Sequence, residues 1–227
     1  MWRQLPAFAL DTLLSRDCCL CGCPVGHGSA PVCDFCASEL PRHTTPACPR
    51  CALPAPGGEF CGRCLRDSPA FDTTCALFDY AFPVDVLLQA FKYRHRLSLA
   101  AFFARALPPV PTVDLLLPMP LHPRRLRDRG FNQAVEIARP LARAVGLPLE
   151  LSGVVRVRDT PPQANLDRDA RLANLRGVFV SRRRFDGLRI VVVDDVMTTG
   201  SSLNMLARCL KANGAVAVHN LVVARAV

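Results

Sequence analysis

A chain of 227 residues is long enough for one α/β domain of about 150 residues together with a small second module. Half of its residues are apolar, but no apolar run approaches the ~20 residues that span a membrane, and the amino end lacks the pattern of a signal peptide, so we expect a cytoplasmic protein without a membrane span. The net charge is +9, and nearly all of the positively charged residues are arginines, since Lys92 and Lys211 are the only lysines. This charge permits phosphate or nucleic-acid ligands without establishing either.

The first predicted element is a cysteine-dense segment, which holds ten of the twelve cysteines. Two residues between paired cysteines let both thiolates bind one tetrahedral ion. The segment therefore predicts two structural zinc sites of four cysteines each, and metal binding should supply much of its folding energy. The predicted ligands form four Cys-x-x-Cys pairs: Cys18 with Cys21, Cys33 with Cys36, Cys48 with Cys51, and Cys61 with Cys64.

Several alternatives remain open for these cysteines. The spacing favours sequential pairing of the Cys-x-x-Cys units but also permits an interleaved arrangement, and Cys19 or Cys23 could substitute in the first unit. Disulfides are disfavoured because no secretory signal is seen. A thioredoxin-like redox motif is disfavoured because no βαβ pattern surrounds the pairs. We place the zinc module at residues 1–70 and a second domain at residues 71–227.

The second domain begins with a strand-like stretch at 71–80 and an amphipathic helix at 84–93. A basic cluster follows, which is either a solvated helix end or a contact for phosphate or nucleic acid. A second amphipathic run at 97–107 ends in a proline-rich connector at 108–111. The cluster consists of Lys92, Arg94, His95 and Arg96.

A largely apolar run at 113–117 predicts the first strand of the main sheet. Four arginines within six residues follow at 124–129, and they form either a mobile basic loop or a clamp for a polyanion. A helix is predicted at 132–145, where Pro140 should kink it and Gly146 should end it. A second strand candidate lies at 149–157.

Residues 158–177 form a long polar segment without periodicity, and a loop of this length in a compact domain is usually functional or disordered. A short strand is predicted at 178–180. The β-branched run at 190–193 then predicts a strand that is buried on both faces of a parallel sheet. A helix at 201–212 and a last strand at 216–223 complete the pattern.

Two carboxylates, Asp194 and Asp195, follow the buried strand at the edge where open α/β sheets bind ligands. Small and mostly hydroxylated residues, Thr198 to Ser202, then lead into the helix, and backbone N–H groups at a helix start form an anion site. The alternative is a solvated turn with an ordinary Ser or Thr cap. The combination predicts a ligand with hydroxyls and a phosphate, such as a ribose 5-phosphate.

This order of strand, acids and hydroxylated loop resembles the signature of type I phosphoribosyltransferases, which bind 5-phosphoribosyl 1-pyrophosphate (PRPP). The resemblance implies that the acids hold the ribose hydroxyls, that the loop wraps the 5-phosphate, and that the loop after the 113–117 strand receives the pyrophosphate. Ser202 stands where the motif usually has threonine. The implied PRPP contacts are Asp194, Asp195, Val196, Met197, Thr198, Thr199, Gly200, Ser201, Ser202, Met119, Pro120, Leu121, Arg124 and Arg129.

The whole chain resembles the ComF/GntX family of phosphoribosyltransferase-like proteins, which is associated with competence and the use of external DNA. The resemblance rests on the cysteine pairs, on residues 129–133 (Arg-Gly-Phe-Asn-Gln), on a polar loop with Thr160, Gln163, Arg171 and Asn174, and on residues 194–200. It implies the type I phosphoribosyltransferase fold, a parallel sheet flanked by helices, with an amino-terminal zinc-ribbon module. The transferase half of amidophosphoribosyltransferases is also similar, but an amino-terminal cysteine nucleophile and a glutaminase domain are absent from this sequence.

Two classes of function follow from the resemblance. The first is a transferase in which Asp194 and Asp195 stabilise positive charge on the ribose and Mg²⁺ steadies the leaving pyrophosphate. The clamp is completed either by Arg171, from a loop that closes over the site, or by Arg124 and Arg129. The second is a PRPP- or nucleotide-sensing adaptor that contacts single-stranded DNA or the DNA-uptake machinery. We favour the transferase slightly, because a long closing loop has little use in a passive sensor.

Overall fold

The structure, a computed structural model, describes residues 16–25, 31–44, 46–108, 112–159 and 177–227. Residues 160–176 of the predicted closing loop, which include Arg171, lie outside these residues. The elements of the described part, in chain order, are β1 (Arg16–Asp17), β2 (Pro24–Val25), α1 (Asp34–Ser38), a 3₁₀ turn (Pro56–Gly58), α2 (Gly62–Arg66), β3 (Thr73–Asp79), α3 (Val84–Tyr93), α4 (Ser98–Ala106), β4 (Leu115–Pro118), α5 (Pro123–Arg129), α6 (Gln133–Val145), β5 (Val154–Arg156), β6 (Phe179–Ser181), β7 (Arg189–Met197), α7 (Ser201–Ala212) and β8 (Ala217–Arg225).

The centre of the fold is a four-stranded parallel sheet in the order β3-β8-β7-β4. The β-branched run at 190–193 occupies β7, between β4 and β8, and each of its four side chains is fully shielded from solvent. This burial on both faces explains why the run lacks polar alternation. The predicted α/β class with a parallel sheet is confirmed.

The side chains of β7 alternate between two separate cores. Val191 and Val193 pack with the apolar faces of α3, α4 and α6 on one side of the sheet. Ile190 and Val192 pack on the other side with α7 and with the antiparallel hairpin of β5 and β6. Each fully buried aliphatic side chain of this kind contributes roughly 1.5–3 kcal/mol, so the two layers hold β7 in a fixed register.

The cysteine-rich segment reaches both of these cores. Cys18 is buried in the core that contains α3 and α4, whereas Cys48, Cys51 and Cys64 are buried in the core that contains α7. The two halves of the segment therefore lie against opposite faces of the sheet.

In the stretch between the two halves, residues 41–44 and 46–49 run along the outer edge of β3. The amide of His43 donates to the backbone oxygen of Leu77 at 3.0 Å, and the amide of Asp79 donates to the oxygen of Pro41 at 2.9 Å. Arg42 forms an antiparallel bridge with Phe78. These bonds occupy backbone groups that an edge strand otherwise leaves unpaired.

Most predicted boundaries agree with the structure, and four differ. The sheet begins with β3 and not with the 113–117 run. The 149–157 candidate contributes β5, which pairs with β6 outside the main sheet. The arginines at 124–129 lie in the short helix α5 and not in a loop. The two aspartates lie inside β7, because pairing with β8 continues to Met197.

Two helix ends agree closely with the sequence prediction. The Asn132 side chain accepts a hydrogen bond from the amide of Ala134 at the start of α6, and Gly146 ends that helix with a φ of 70°. No helix in the described ranges is both long and apolar enough to cross a membrane.

Candidate functional site

The candidate site begins where β4 ends and β7 continues. Pro118, the last residue of β4, is paired with Val193, and the amide of Met119 donates to the oxygen of Val193 at 2.8 Å. Beyond that point β7 pairs only with β8 among the described residues, through Asp194 and the residues after it. The two acids therefore stand at the carboxyl edge of the sheet, beside the step left by the shorter strand, where ligands of open α/β sheets bind.

Asp195 is ion-paired with a lysine from a different element. The Nζ atom of Lys92, in the last turn of α3, lies 2.8 Å from Oδ2 of Asp195. The two side chains are only 19% and 13% exposed, so solvent screens the pair less than it screens a surface pair. One oxygen of Asp195 is thus occupied by a protein cation.

Asp194 has a different electrostatic environment. Burial, followed by the negative charge of Asp195, raises the pKa of Asp194 to about 7. The amide of Asp195, 2.9 Å from Oδ1 of Asp194, and the positive charges of Lys92 and Arg156 act in the opposite direction. Two adjacent carboxyl groups therefore differ, since one is held in an ion pair and the other titrates near neutral pH.

The loop after β7 presents hydroxyl groups and helix amides. The hydroxyls of Thr199 and Ser201 lie 2.8 Å apart, and the amide of Ser201 is 3.3 Å from the Thr199 hydroxyl. Helix α7 begins directly afterwards, so its first amides and its positive dipole end lie at this loop. The loop at 198–202 therefore leads directly into a helix start, and its role as an anion site stays a prediction.

Gly200 makes this turn possible. Its φ is +76°, a left-handed conformation that side chains with a Cβ rarely adopt. A Cβ at this position would lie 2.5 Å from Cε of Met197, with the ring of Phe71 close behind it. The backbone conformation favours glycine here, and any Cβ would also displace the tip of the Met197 side chain.

A buried arginine ties the loop to the cysteine-rich segment. The Nε atom of Arg225, at the end of β8, donates to the backbone oxygen of Cys51 at 2.8 Å. Its Nη1 atom donates to the oxygen of Met197 at 3.0 Å and also to that of Thr198. Because Arg225 is only 1% exposed, it acts as a fixed connection between the second cysteine group and the loop.

Two further contacts join the same parts. Nη2 of Arg63, in α2, donates to the backbone oxygen of Thr199 at 3.0 Å. The amide of Ala70 donates to Oδ1 of Asn204 in α7 at 2.7 Å. The second half of the cysteine segment thus supports the candidate phosphate loop from outside.

The opposite side of the site is built by the Arg-Gly-Phe-Asn-Gln motif at 129–133. Nδ2 of Asn132 donates to the backbone oxygen of Met119 at 3.0 Å, and Nη1 of Arg129 donates to Oε1 of Gln133 at 3.1 Å. The Arg129 guanidinium lies 5.7 Å from the centre of the exposed Tyr93 ring. The motif therefore fixes the 119–121 loop and brings Arg129 beside α3, whereas Arg124 is exposed in α5.

The eight predicted thiols form two groups suited to tetrahedral metal. Within each group the four sulfur atoms lie within 4.8 Å of one another. Sγ of Cys21 and Sγ of Cys33 are 3.8 Å apart, which matches the edge of about 3.8 Å expected for a tetrahedron with Zn–S bonds of about 2.3 Å. The groups are Cys18, Cys21, Cys33 and Cys36, and Cys48, Cys51, Cys61 and Cys64.

The structure resolves the pairing that the spacing left open. The sequential arrangement is found, Cys19 and Cys23 lie outside both groups, and the cysteines of the described residues carry no disulfide. The donor set fits zinc, with thiolate ligands and closed four-fold sites typical of structural ions. Two structural zinc sites are thus the assignment for this segment.

Sequence reasoning missed the side chains that reach the site from distant elements. Lys92 was grouped with a basic cluster, although its position four residues after the buried Leu88 places it on the inner face of α3. That periodicity was an available signal. Arg63, Arg156 and Arg225 carried no such signal, because their partners are distant in sequence.

Comparison with known proteins agrees with both halves of the chain. The family described as double zinc ribbon domain matches residues 9–65, and the family described as phosphoribosyl transferase domain matches residues 132–226. A DNA utilization protein, YhgH, from Salmonella typhi is 34% identical over 213 residues, which cover 89% of this chain and 93% of that protein.

Other relatives are more distant. Competence protein F from Haemophilus influenzae is 31% identical, covering 85% of this chain and 84% of that protein, and competence protein ComFC from Bacillus subtilis is 28% identical, covering 81% and 79%. Among solved structures, the allosteric regulatory enzyme of purine biosynthesis matches with 23% identity and a TM-score of 0.37, over 56% of this chain and 25% of that chain.

Proposed function

The chain belongs to the ComF/GntX family of phosphoribosyltransferase-like proteins, and we propose that it binds PRPP with Mg²⁺ at the carboxyl edge of β7 and transfers the phosphoribosyl group to a small acceptor. The observation that carries this proposal is the continuous path from two aspartates to a hydroxylated helix start. Asp194 and Asp195 precede the loop at 198–202 on one strand–loop–helix unit. A sugar phosphate needs acceptors for its hydroxyls and donors for its phosphate, and this unit carries both within a few residues.

Each part of PRPP has a counterpart in this arrangement. The loop hydroxyls and the first amides of α7 donate to the 5-phosphate. The carboxylates accept from the 2′- and 3′-hydroxyls. Arg124 and Arg129, with the 119–121 loop that Asn132 holds in place, lie on the side assigned to the pyrophosphate. Arg171 is outside the described residues, and its role in the clamp stays a prediction.

The pyrophosphate and the ribose hydroxyls held at this edge are oxygen ligands of the kind that Mg²⁺ prefers, so Mg²⁺ would enter with the substrate. When bound, Mg²⁺ would neutralise charge on the leaving pyrophosphate. The protein's own contribution is electrostatic. As the bond between C1 and the pyrophosphate oxygen breaks, positive charge develops on the ribose ring, and the acid pair beside the ring favours that charge.

The test compares PRPP binding by the wild-type chain and by an Asp194→Asn, Asp195→Asn double variant. A ligand at ~100 times its dissociation constant stabilises a protein by roughly 2.7 kcal/mol, so PRPP with Mg²⁺ should raise the melting temperature of the wild type clearly. The double variant should lose this shift and keep its fold. Ribose 5-phosphate should bind more weakly, since it lacks the pyrophosphate.

Asp114→Asn serves as the control, because Asp114 lies before β4 and bonds Arg189 at the start of β7, away from the site. This variant should keep the PRPP shift. Equal shifts in all three proteins would place PRPP elsewhere. Turnover is then measured as pyrophosphate release with a panel of amines and bases, and tight binding without release would favour a sensor.

The second candidate function is a DNA-contacting adaptor, in line with the names of the relatives from Salmonella typhi and Haemophilus influenzae. The observation that favours it is the exposed group formed by Tyr93, Arg94 and Arg96 at the end of α3. Aromatic rings stack on bases and arginines contact phosphates in single-strand binding.

An Arg94→Ala, Arg96→Ala double variant tests this candidate directly. Its affinity for a single-stranded oligonucleotide should fall most at low salt, because screening weakens phosphate contacts as salt rises. Arg105→Ala, exposed at the end of α4, is the matched control. If the double variant and the control both bind the oligonucleotide as tightly as the wild type, the DNA-contacting function is rejected and the sugar-phosphate function remains.

A further inference from the structure

The two lysines of this arginine-rich chain are both ion-paired, but in different settings. Lys211 lies 2.8 Å from Asp72, and both side chains are about one third exposed. This pair lies at the amino end of the sheet, where Asp72 also accepts from the amide of Val218 at 2.8 Å. Lys92 reaches Asp195 at the opposite end, and that pair is more deeply buried.

The Lys92 pair is hard to explain by stability alone. Removing two charges from water costs free energy, which their mutual attraction often fails to repay. On the inner face of α3, Val84 and Leu88 are fully buried apolar residues, and Lys92 continues their series. An apolar residue would fit this pattern equally well. The lysine is therefore better explained by what it does to Asp195.

We propose that Lys92 is a positioning residue of the sugar site, whose Nζ atom holds Oδ2 of Asp195 so that Oδ1 is presented to one hydroxyl of a vicinal diol. This inference rests on the proposed function, and it adds a residue from α3 to the strand–loop unit. Lys92 touches the carboxylate and not the reacting carbon, so it acts through Asp195.

The arrangement has an electrostatic consequence. Within the part of the chain that the structure describes, the charged groups that act on Asp194 are Asp195, Lys92 from α3 and Arg156 from β5, and Lys92 is also ion-paired with Asp195. Without the lysine, two adjacent carboxylates would face each other with Arg156 as the remaining cation among these groups. Because the charge of Lys92 lowers the pKa of Asp194, its loss would let protons bind Asp194 more tightly. A diol hydroxyl would lose its charged acceptor at pH values where Asp194 is protonated.

The experiment measures PRPP affinity by calorimetry, with Mg²⁺, from pH 6 to pH 8.5. The full zinc-loaded chain is compared with Lys92→Met, Lys92→Arg and Lys211→Met. Lys92→Met keeps an unbranched side chain, one atom shorter, and removes its charge. We expect its affinity to fall about tenfold or more at pH 6.5 and to recover partly towards pH 8.5, since one unit of pKa corresponds to tenfold in proton affinity.

Lys92→Arg keeps the charge, so it should retain the wild-type pH profile with a smaller loss of affinity. Lys211→Met should match the wild type at every pH. A merely structural role for Lys92 would lower the melting temperature without moving the pH profile. The profile is therefore the deciding measurement, and Lys92→Gln, which also removes the charge, supplies it if Lys92→Met does not fold.

The outcomes separate this inference from the proposed function. If the wild type binds PRPP and Lys92→Met binds it with the same affinity and profile, Lys92 is not part of the site and the inference is overturned alone. The same holds if Lys92→Arg behaves no better than Lys92→Met. If the wild type binds neither PRPP nor ribose 5-phosphate, the proposed function fails and the inference fails with it.

Discussion

The guanidinium of Arg225 donates to the backbone oxygen of Cys51, 174 residues earlier in the chain. The same guanidinium donates to Met197 and Thr198 at the start of the candidate phosphate loop. The second cysteine group and the candidate phosphate loop therefore share one buried cation. This sharing leads to specific expectations for stability and for ligand binding.

Replacing Arg225 with glutamine should destabilise the protein by about 3 kcal/mol, because several buried carbonyl groups lose their charged donor. Urea unfolding at neutral pH measures this change. Arg105→Gln, on an exposed part of α4, should change stability by about 0.5 kcal/mol or less. Similar effects of the two substitutions would show that the Arg225 contacts contribute little.

Loss of the second cysteine group should impair PRPP binding more than loss of the first. Cys64→Ser disturbs the group that supports the loop through Arg225 and Arg63, whereas Cys36→Ser disturbs the group on the other face of the sheet. The zinc content should fall from about two ions per chain to about one in each variant. The measurement is the PRPP-induced shift in melting temperature at matched zinc content.

Cys209→Ser is the control for these variants, since Cys209 belongs to neither group. It should retain both zinc ions and the full PRPP shift. A PRPP shift that is reduced equally by Cys36→Ser and Cys64→Ser would contradict a specific connection between the second zinc site and the loop.

Gly200→Ala should destabilise the protein and abolish the PRPP shift. The substitution forces a left-handed conformation on alanine, which costs roughly 1 kcal/mol, and its Cβ would also collide with Met197. Gly187→Ala is the matched control, because Gly187 has a φ of +75° with open space around it. It should show the backbone cost alone and bind PRPP normally.

The stability of the protein should fall as pH rises towards 8, in part because of Asp194. Its pKa is about 7 in the folded protein and about 3.9 in an unfolded chain. Protons therefore bind the folded state more tightly. This stabilisation is fully present below about pH 4 and is lost as pH rises through about 7.

In the Asp194→Asn variant the side chain at position 194 cannot ionise. The free energy of unfolding of this variant should therefore fall less between pH 5 and pH 8 than that of the wild type. The pKa of Asp114 is lowered by its hydrogen bonds with Arg189, so Asp114→Asn should shift the whole curve over this range without changing its slope. Urea titrations at four pH values compare the three proteins. Parallel curves for the wild type and Asp194→Asn would refute the raised pKa.

Features that depend on neighbouring residues could be predicted from the sequence. Contacts between elements that are distant in sequence could not. The buried strand at 190–193, the end of α6 at Gly146 and the four Cys-x-x-Cys pairs each follow from local sequence, whereas the spacing only favoured the sequential grouping of those pairs that the structure has. The end of β7 was misplaced because its pairing with β8 extends through Asp194 and beyond, and polar residues give no signal of such pairing.

The candidate site shows the same division. The acids and the hydroxylated loop lie within nine residues of one another, and the sequence contains their order directly. Lys92 and Arg225 reach them from a separate helix and from the last strand. Many basic residues in the chain could have faced the site. The packing of α3 against the sheet and the position of β8 within it determine that Lys92 and Arg225 do so.

The stretch along the edge of β3 also affects the tendency of the protein to aggregate when its metal is removed. Its backbone covers the outer edge of β3, and its position depends on the cysteine groups at both of its ends. Chelation would release this cover and leave a row of unpaired amides and carbonyls, which is a template for strands of other molecules. Zinc would thereby act as a solubility factor, and metal-depleted protein would aggregate before its central sheet unfolds.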